Sequence, residues 1–251
     1  MSTKTAIITG GSRGLGRDMA LSLAKKGVDI IFSYHSNTAK ANDVINEIKD
    51  LGQDAKAFPF DANDHTSGQA FIESATTYLK DRHGNPNFDF LINNAGTGTF
   101  NMVAHTTETQ FNEMMNVHLK SVYFMTQAAL PYLNDHGRII NISSGLARFS
   151  LPGMSAYAVM KGAIEVFTRY LAKELGERKI TANTVAPGAI ATDFASGSNK
   201  EEDKAKMIAS ITALGRVGEA EDIGGVVAFL CSADAGWVNG QRIEVSGGML
   251  V

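Results

Sequence analysis

Short apolar runs rich in β-branched residues alternate along the chain with longer segments whose apolar positions recur every three or four residues. The short runs predict seven strands: Thr5–Thr9 (TAIIT), Val28–Tyr34, Asp54–Phe60, Phe88–Asn93, Gly137–Ser143, Ile180–Ala186 and Gln241–Val245. The longer segments predict helices. LGRDMALSLAKKG closes on Gly27, and NTAKANDVINEIKDLG opens on a polar cap and ends before Gly52. FIESATTYLKDRHG reads the same way, and a last helix near Ala220–Cys231 precedes the seventh strand.

Strand–helix alternation fits either a doubly wound open sheet or a closed eightfold barrel. Pro59, inside the third run, cannot donate to a strand ladder and belongs at an edge. A barrel has no edge, whereas the order 3-2-1-4-5-6 places strand three at one. The expectation is therefore an α/β, doubly wound, seven-stranded parallel sheet with helices on both faces. No repeat, linker or low-complexity tract divides the chain, so residues 1–251 read as one domain.

Composition narrows the function classes. Hydrophobic residues are 44% of the 251, charged residues 20%, and the formal net charge is −3, which favours neither a nucleic-acid nor a membrane partner. The single cysteine, Cys231, excludes an intrachain disulfide and a cysteine-cluster zinc site, and lies in an apolar helical run as a small buried hydrophobe. No metal site is expected. MSTKTAIITGG enters a strand without a signal-length apolar stretch, and no segment is long enough for a membrane span, so a cytoplasmic protein is expected.

Three local patterns carry chemistry. TGGSRGLG, Thr9–Gly16, sits where the first strand turns into a helix; glycines there allow a tight turn and close approach of backbone to a phosphate at a helix N-terminus. Gly11 and Gly16 have P-loop spacing, but Arg17 and Asp18 stand where the lysine and hydroxyl of a P-loop would be. Tyr157 and Lys161 are four apart on a helix, on one face, among small residues. GMSAY, Gly153–Tyr157, comes near the G-x-S-x-G nucleophile elbow but ends in tyrosine and follows no strand.

Thr9–Gly16 as T-G-x-x-x-G-x-G, NNAG at Asn93–Gly96 and Y-x-x-x-K at Tyr157–Lys161 together resemble the short-chain dehydrogenase/reductase family, a Rossmann fold. Pro187–Gly188, GRVGEAEDI and NGQRIEVSGG extend the resemblance over the whole chain, nearest the 3-oxoacyl-carrier-protein-reductase-like and sugar-dehydrogenase-like branch. The resemblance implies Tyr157 as acid/base, Lys161 lowering its pKa and holding the nicotinamide ribose, and Ser144, thirteen residues before the tyrosine, on the substrate oxygen. It implies Asn116 as anchor of a water linked to Lys161. It places Gly10, Ser12, Arg13, Gly14, Leu15 and Gly16 at the pyrophosphate, Tyr34, Asp61 and Ala62 at the adenosine, and Asn93, Ala95, Gly96, Pro187, Gly188 and Thr192 along the rest of the cofactor.

The chemistry suits these residue types. Hydride transfer to a carbonyl leaves an alkoxide that needs a proton and stabilisation. A free tyrosine is a poor base at neutral pH, and a neighbouring ammonium favours its phenolate. NAD-selective folds of this type place an acid about 20 residues past the glycines. Tyr34 stands there instead, while Arg13, Ser33 or Ser36 could meet a 2′-phosphate. NADP(H) is therefore favoured, with NAD(H) possible.

Thr97–Val103, Gly145–Met154 and a lid at about 189–214 should surround a small carbonyl or alcohol substrate, with Phe149, Met154 and Phe194 giving it an apolar part, while Arg148 reads first as a solvated surface charge and second as a partner for an acidic substrate group. VYFMTQAAL and AIEVFTRYLAKEL offer subunit contacts, and the resemblance implies a dimer or tetramer. The function expected is NADPH-dependent reduction of a ketone or 3-oxoacyl carbonyl, or its reverse. The rivals are an NAD(H)-using alcohol, sugar or steroid dehydrogenase, a non-catalytic dinucleotide-binding regulator, and a methyltransferase of the same doubly wound plan.

Overall fold

The structure, a computed structural model, describes residues 3–64, 66–194 and 199–251. Among the described residues the sheet has seven strands in the order β3-β2-β1-β4-β5-β6-β7, paired in parallel throughout. The strands are β1 Lys4–Ile8, β2 Val28–Tyr34, β3 Ala55–Pro59, β4 Phe88–Asn93, β5 Leu133–Ile142, β6 Thr181–Pro187 and β7 Arg242–Val245. Pro59 ends the edge strand β3 opposite Tyr34, where its missing N–H interrupts no interior ladder.

The strands read as near-continuous apolar runs because both faces of the sheet are covered. Neighbouring residues serve opposite sides. Ile8, Ile30 and Ile140 pack under α1 (Gly14–Ala24), α2 (Thr38–Asp50) and α8 (Glu221–Leu230), through Leu23, Val44 and Val227. Ile7, Ile31 and Ile139 pack under α3 (Ser67–His83), α5 (Ser121–Ala129) and α6 (Ser155–Glu174), through Phe71, Met125 and Leu171. The other α-helices among the described residues are α4 (Glu108–Met115) and α7 (Glu202–Ser210).

Two departures from the sequence pattern matter. Strand β5 starts at Leu133, before the expected Gly137, with His136 in the left-handed region at φ 63° and a register shift opposite Phe88–Phe90. A π-helical turn, Asn116–Lys120, joins α4 to α5; Ser121 N–H donates to the Asn116 carbonyl five residues back. Such turns carry one extra residue and recur at functional sites. Among the described residues no helix is long and apolar enough to cross a membrane.

The carboxyl ends of β1, β4, β5 and β6 share one rim. The chain leaves it through Thr9–Gly16, Asn93–Gly96, Ser143–Ser144 and Pro187–Thr192.

Candidate active site

The glycine turn is held from three sides. Gly10 and Gly14 have φ of 70° and 53°, which only glycine adopts freely. A Cβ on Gly16 would lie 2.1 Å from the Gly10 carbonyl oxygen. Gly10 N–H donates to Ser33 Oγ at 3.0 Å and Gly11 N–H to the Ser33 carbonyl at 2.8 Å. Ser33 is thus buried and fully employed in shaping the turn, which overturns its expected role on a 2′-phosphate. Arg13, the N-cap of α1, is exposed at the mouth of the turn, and its side chain does not cap the helix N–H groups there. Thr192 Cβ lies 3.5 Å from where a Gly14 Cβ would stand, so the segment after β6 closes over the same turn.

Asn93 differs from expectation. Its side chain does not line the rim: Nδ2 donates to Asn141 Oδ1 (2.8 Å) and Thr126 Oγ1 (3.1 Å), inside the protein. The alternation of a strand explains this, since Asn93 ends β4 with its side chain toward α5, which carries Thr126. Asn94 does the tying instead. Its Nδ2 donates to the Thr9 and Gly10 carbonyls, while the N–H groups of Asn94 and Ala95 both donate to Thr9 Oγ1 at 2.9 Å. Gly10 and Ala95 are so close that a Cβ on the former would stand 3.1 Å from the latter's Cα. Tyr34 ends β2 and Asp61 follows β3, with Ala62 next to Asp61, and the Asp61 carboxylate accepts from Asn63 N–H. Gly188 follows Pro187 tightly against Ser246, where a Cβ would approach to 2.9 Å.

The structure brings Ser144, Tyr157 and Lys161 together. Ser144 caps a short turn after β5, its Oγ accepting from Leu146 N–H at 3.2 Å. Its neighbour Ser143 is buried and donates to Glu165 Oε1 at 2.7 Å, so the two serines have separate surroundings. Tyr157 and Lys161 lie on the buried face of α6. The Lys161 ammonium stands 5.5 Å from the Tyr157 ring centroid and donates to the Ile142 carbonyl at 2.7 Å.

Burial dominates the protonation of this pair. It pushes the Tyr157 phenol up to about 12, against a hydrogen bond from Ser144, and the Lys161 ammonium down to about 7. Here the ammonium donates to a carbonyl and lies over the ring, and burial is the largest influence on the phenol.

Asn116 opens the π turn. Its side-chain Nδ2 donates to Asn63 Oδ1 at 3.1 Å, and its carbonyl takes the Ser121 N–H of the turn. The side chain brought to Tyr157 from this turn is His118, 1% exposed, with ring centroids 4.9 Å apart and planes at 86°. His118 Nε2 is 2.7 Å from the Thr97 carbonyl, which makes it the donor, and Nδ1 is buried without a partner among the described residues. Burial and then Lys161 hold the imidazole well below its usual pKa, hence neutral. Sequence spacing does not reveal it, because the π turn breaks the periodicity by which faces are assigned.

The mouth of the site is apolar. Phe194 lies 5.8 Å from Tyr157 between ring centroids, Leu146 and Met154 pack against the Tyr157 cluster, and exposed Phe100 covers Gly153. Arg148 is committed elsewhere, in a two-bond pair with Glu244 at 2.7 and 2.9 Å. Phe149 packs against Gly145 rather than projecting alone. The segment expected as a lid contains α7, and Asn199 Nδ2 donates to the Ile190 carbonyl; residues 195–198 of it lie outside the described residues. Among the described residues no group of acids, histidines and cysteines could hold a metal ion.

A family model described as enoyl-(acyl carrier protein) reductase matches residues 10–250. A short chain dehydrogenase of Emericella nidulans is 35% identical, with 98% of this chain and 94% of the relative covered. The chain belongs to the short-chain dehydrogenase/reductase family. A hydroxynaphthalene reductase-like protein of Metarhizium brunneum is also 35% identical, covering 99% of this chain and 95% of its own. Among solved structures, the angucycline C-6 ketoreductase LanV with bound NADP superposes with a TM-score of 0.94 at 36% identity, over 98% of this chain and 95% of its own. As a family member the protein is an NAD(P)-dependent oxidoreductase.

Proposed function

We propose that this protein reduces an apolar, aryl-type ketone to a secondary alcohol with NADPH, or runs the reverse. The observation that carries the reading is Tyr157: a buried phenol, kept protonated by its surroundings, next to Ser144 and on the same rim as the glycine turn.

The residues fit a dinucleotide. Gly10, Ser12, Gly14, Leu15 and Gly16 would line the pyrophosphate, in a turn too tight for a Cβ at Gly16 and facing uncapped N–H groups of α1. Arg13 at its mouth suits a 2′-phosphate, with Tyr34 in place of an acid. Tyr34, Asp61 and Ala62 would border the adenosine, and the backbone of Asn93, Ala95, Gly96, Pro187 and Gly188, with Thr192, the nicotinamide half. When bound, the nicotinamide supplies the hydride.

The chain's own groups do the rest. Ser144 Oγ–H donates to the substrate carbonyl and orients it. Tyr157 gives its proton to that oxygen as the alkoxide forms. Lys161, held over the Tyr157 ring by the Ile142 carbonyl, would border the nicotinamide ribose. Phe100, Met154 and Phe194 present apolar surface to the substrate, and Arg148 is taken by Glu244 rather than offered to an acidic group. The hydroxynaphthalene reductase-like relative and the angucycline ketoreductase agree with a flat aromatic ketone. The segment at 189–214, which carries Phe194, acts as the lid.

The test is NADPH oxidation against aryl ketones, quinone-like polycycles, 3-oxoacyl thioesters and sugars, with Tyr157→Phe alongside. Turnover of aryl ketones that falls by about 1,000-fold or more in the variant, with NADPH still bound, supports the reading. Preferred turnover of thioesters or sugars overturns the substrate class. NADPH binding without turnover on any class favours a regulatory protein.

A further inference from the structure

Arg242, on β7, reaches across to the loop that carries Ser144. Its Nη2 donates to the Ser144 carbonyl at 3.2 Å. Its Nε donates to Glu165 Oε1 at 2.7 Å, and its Nη1 to Glu244 Oε2 at 2.9 Å. Glu165 lies on α6 one turn after Lys161, and the same Oε1 accepts from Ser143 Oγ at 2.7 Å. Glu244 is gripped from the other side by Arg148, which also donates to the Met249 carbonyl at 3.1 Å. Four alternating charges thus join α6, β7, the Ser144 loop and the C-terminal segment.

Most of this line is screened from solvent: side-chain exposure is 23% at Arg242, 14% at Glu165 and 20% at Glu244. A guanidinium fixed by two carboxylates has little freedom left, so its third contact is aimed rather than incidental. That third contact is the peptide whose side chain meets Tyr157.

We propose that Arg242 is a positioning residue for Ser144: pinned between Glu165 and Glu244, it fixes the Ser144 peptide so that the hydroxyl is held at the height of the Tyr157 phenol. The proposal rests on the role given above to Ser144. It does not need Arg242 to touch substrate or cofactor.

The experiment is a double-mutant cycle on the full chain, with Arg242→Met, Arg242→Lys, Ser144→Ala and the Ser144→Ala/Arg242→Met pair, assayed with NADPH and the best ketone. Arg242→Met should lower kcat by about tenfold or more while KM for NADPH changes less than about twofold, as loosening of a catalytic group predicts. Arg242→Lys, which keeps the charge between the two carboxylates but not all three bonds, should fall between wild type and the methionine variant. In the Ser144→Ala background the same Arg242→Met change should cost less than about twofold, because the group it positions is gone.

An equal loss in both backgrounds means that Arg242 acts on stability alone and overturns the proposal. So does a methionine variant with wild-type kcat. A Ser144→Ala variant that turns over like wild type overturns the Ser144 reading itself, and the proposal with it. Should Arg242→Met not fold by circular dichroism, the cycle is run with Arg242→Lys, which carries the same expectation of non-additivity.

Discussion

The His118 ring meets the Tyr157 ring edge-on at 4.9 Å, while its Nε2 holds the Thr97 carbonyl at 2.7 Å. One side chain thereby links the π turn, the loop after β4 and the candidate acid. His118→Phe keeps an aromatic edge against Tyr157 but leaves the Thr97 carbonyl without its donor. Urea unfolding should show a loss of about 1–2 kcal/mol near neutral pH.

The same histidine makes an acid-side prediction. Its folded pKa lies well below the ordinary 6.5, so below that pH the unfolded chain binds a proton that the folded one does not. Stability should therefore fall as pH drops below about 6.5, more steeply in the wild type than in His118→Phe, and urea midpoints measured at a series of pH values read this directly.

Lys161 acts in the opposite pH range. Its folded value of about 7 lies below its ordinary 10.5, so between these values the unfolded state binds the extra proton and folding is favoured increasingly as pH rises. The stability difference between wild type and Lys161→Met, without cofactor, should shift in favour of wild type from about pH 7 toward about pH 10. A flat difference would mean that the ammonium is not desolvated in solution.

Gly16→Ala tests the cradle. The new Cβ would stand 2.1 Å from the Gly10 carbonyl and 2.7 Å from Asn94 Nδ2, so the turn must open. Loss of about 1–3 kcal/mol in stability and a marked weakening of NADPH binding, followed by nucleotide fluorescence, are expected.

The proposed contact of Arg13 with a 2′-phosphate gives a direct test. Arg13→Ala should lower the ratio of kcat/KM with NADPH to that with NADH by about tenfold, the scale of one charge-assisted contact, with little change for NADH. An unchanged ratio would move the preference to other residues around Tyr34.

Much of the fold and part of the site are legible in the amino-acid sequence. Pro59 selects the open sheet, the glycines mark the turn, and the Tyr157–Lys161 interval puts both on the buried face of α6. The rest is hidden for physical reasons. Ser33 and Asn93 carry side chains suited to a ligand, but strand alternation turns them inward, where Ser33 accepts from the Gly10 N–H and Asn93 donates to Asn141 and Thr126. His118 meets the Tyr157 ring from a π turn whose inserted residue re-phases the helix without changing its composition. The protonation of Tyr157 and Lys161 depends on burial, which motif spacing does not encode. Arg242 gains its meaning from tertiary structure alone, through the 98 residues of chain that separate it from the Ser144 peptide it holds.

The π turn has one further consequence. An α-helix advances about 100° per residue, so an extra residue rotates everything on one side of it relative to the other. Deleting a single residue between Asn116 and Lys120 would let α4 and α5 fuse into an ordinary helix with its backbone hydrogen bonds intact. Yet both neighbours are anchored, α5 by Met125 and Ala129 and α4 by Met114, which packs with Tyr157, so the shortened helix could not keep both sets of contacts at once. The protein therefore keeps two anchored helices in step through a surplus of one residue, a setting that a length change would erase while most point substitutions would leave it in place.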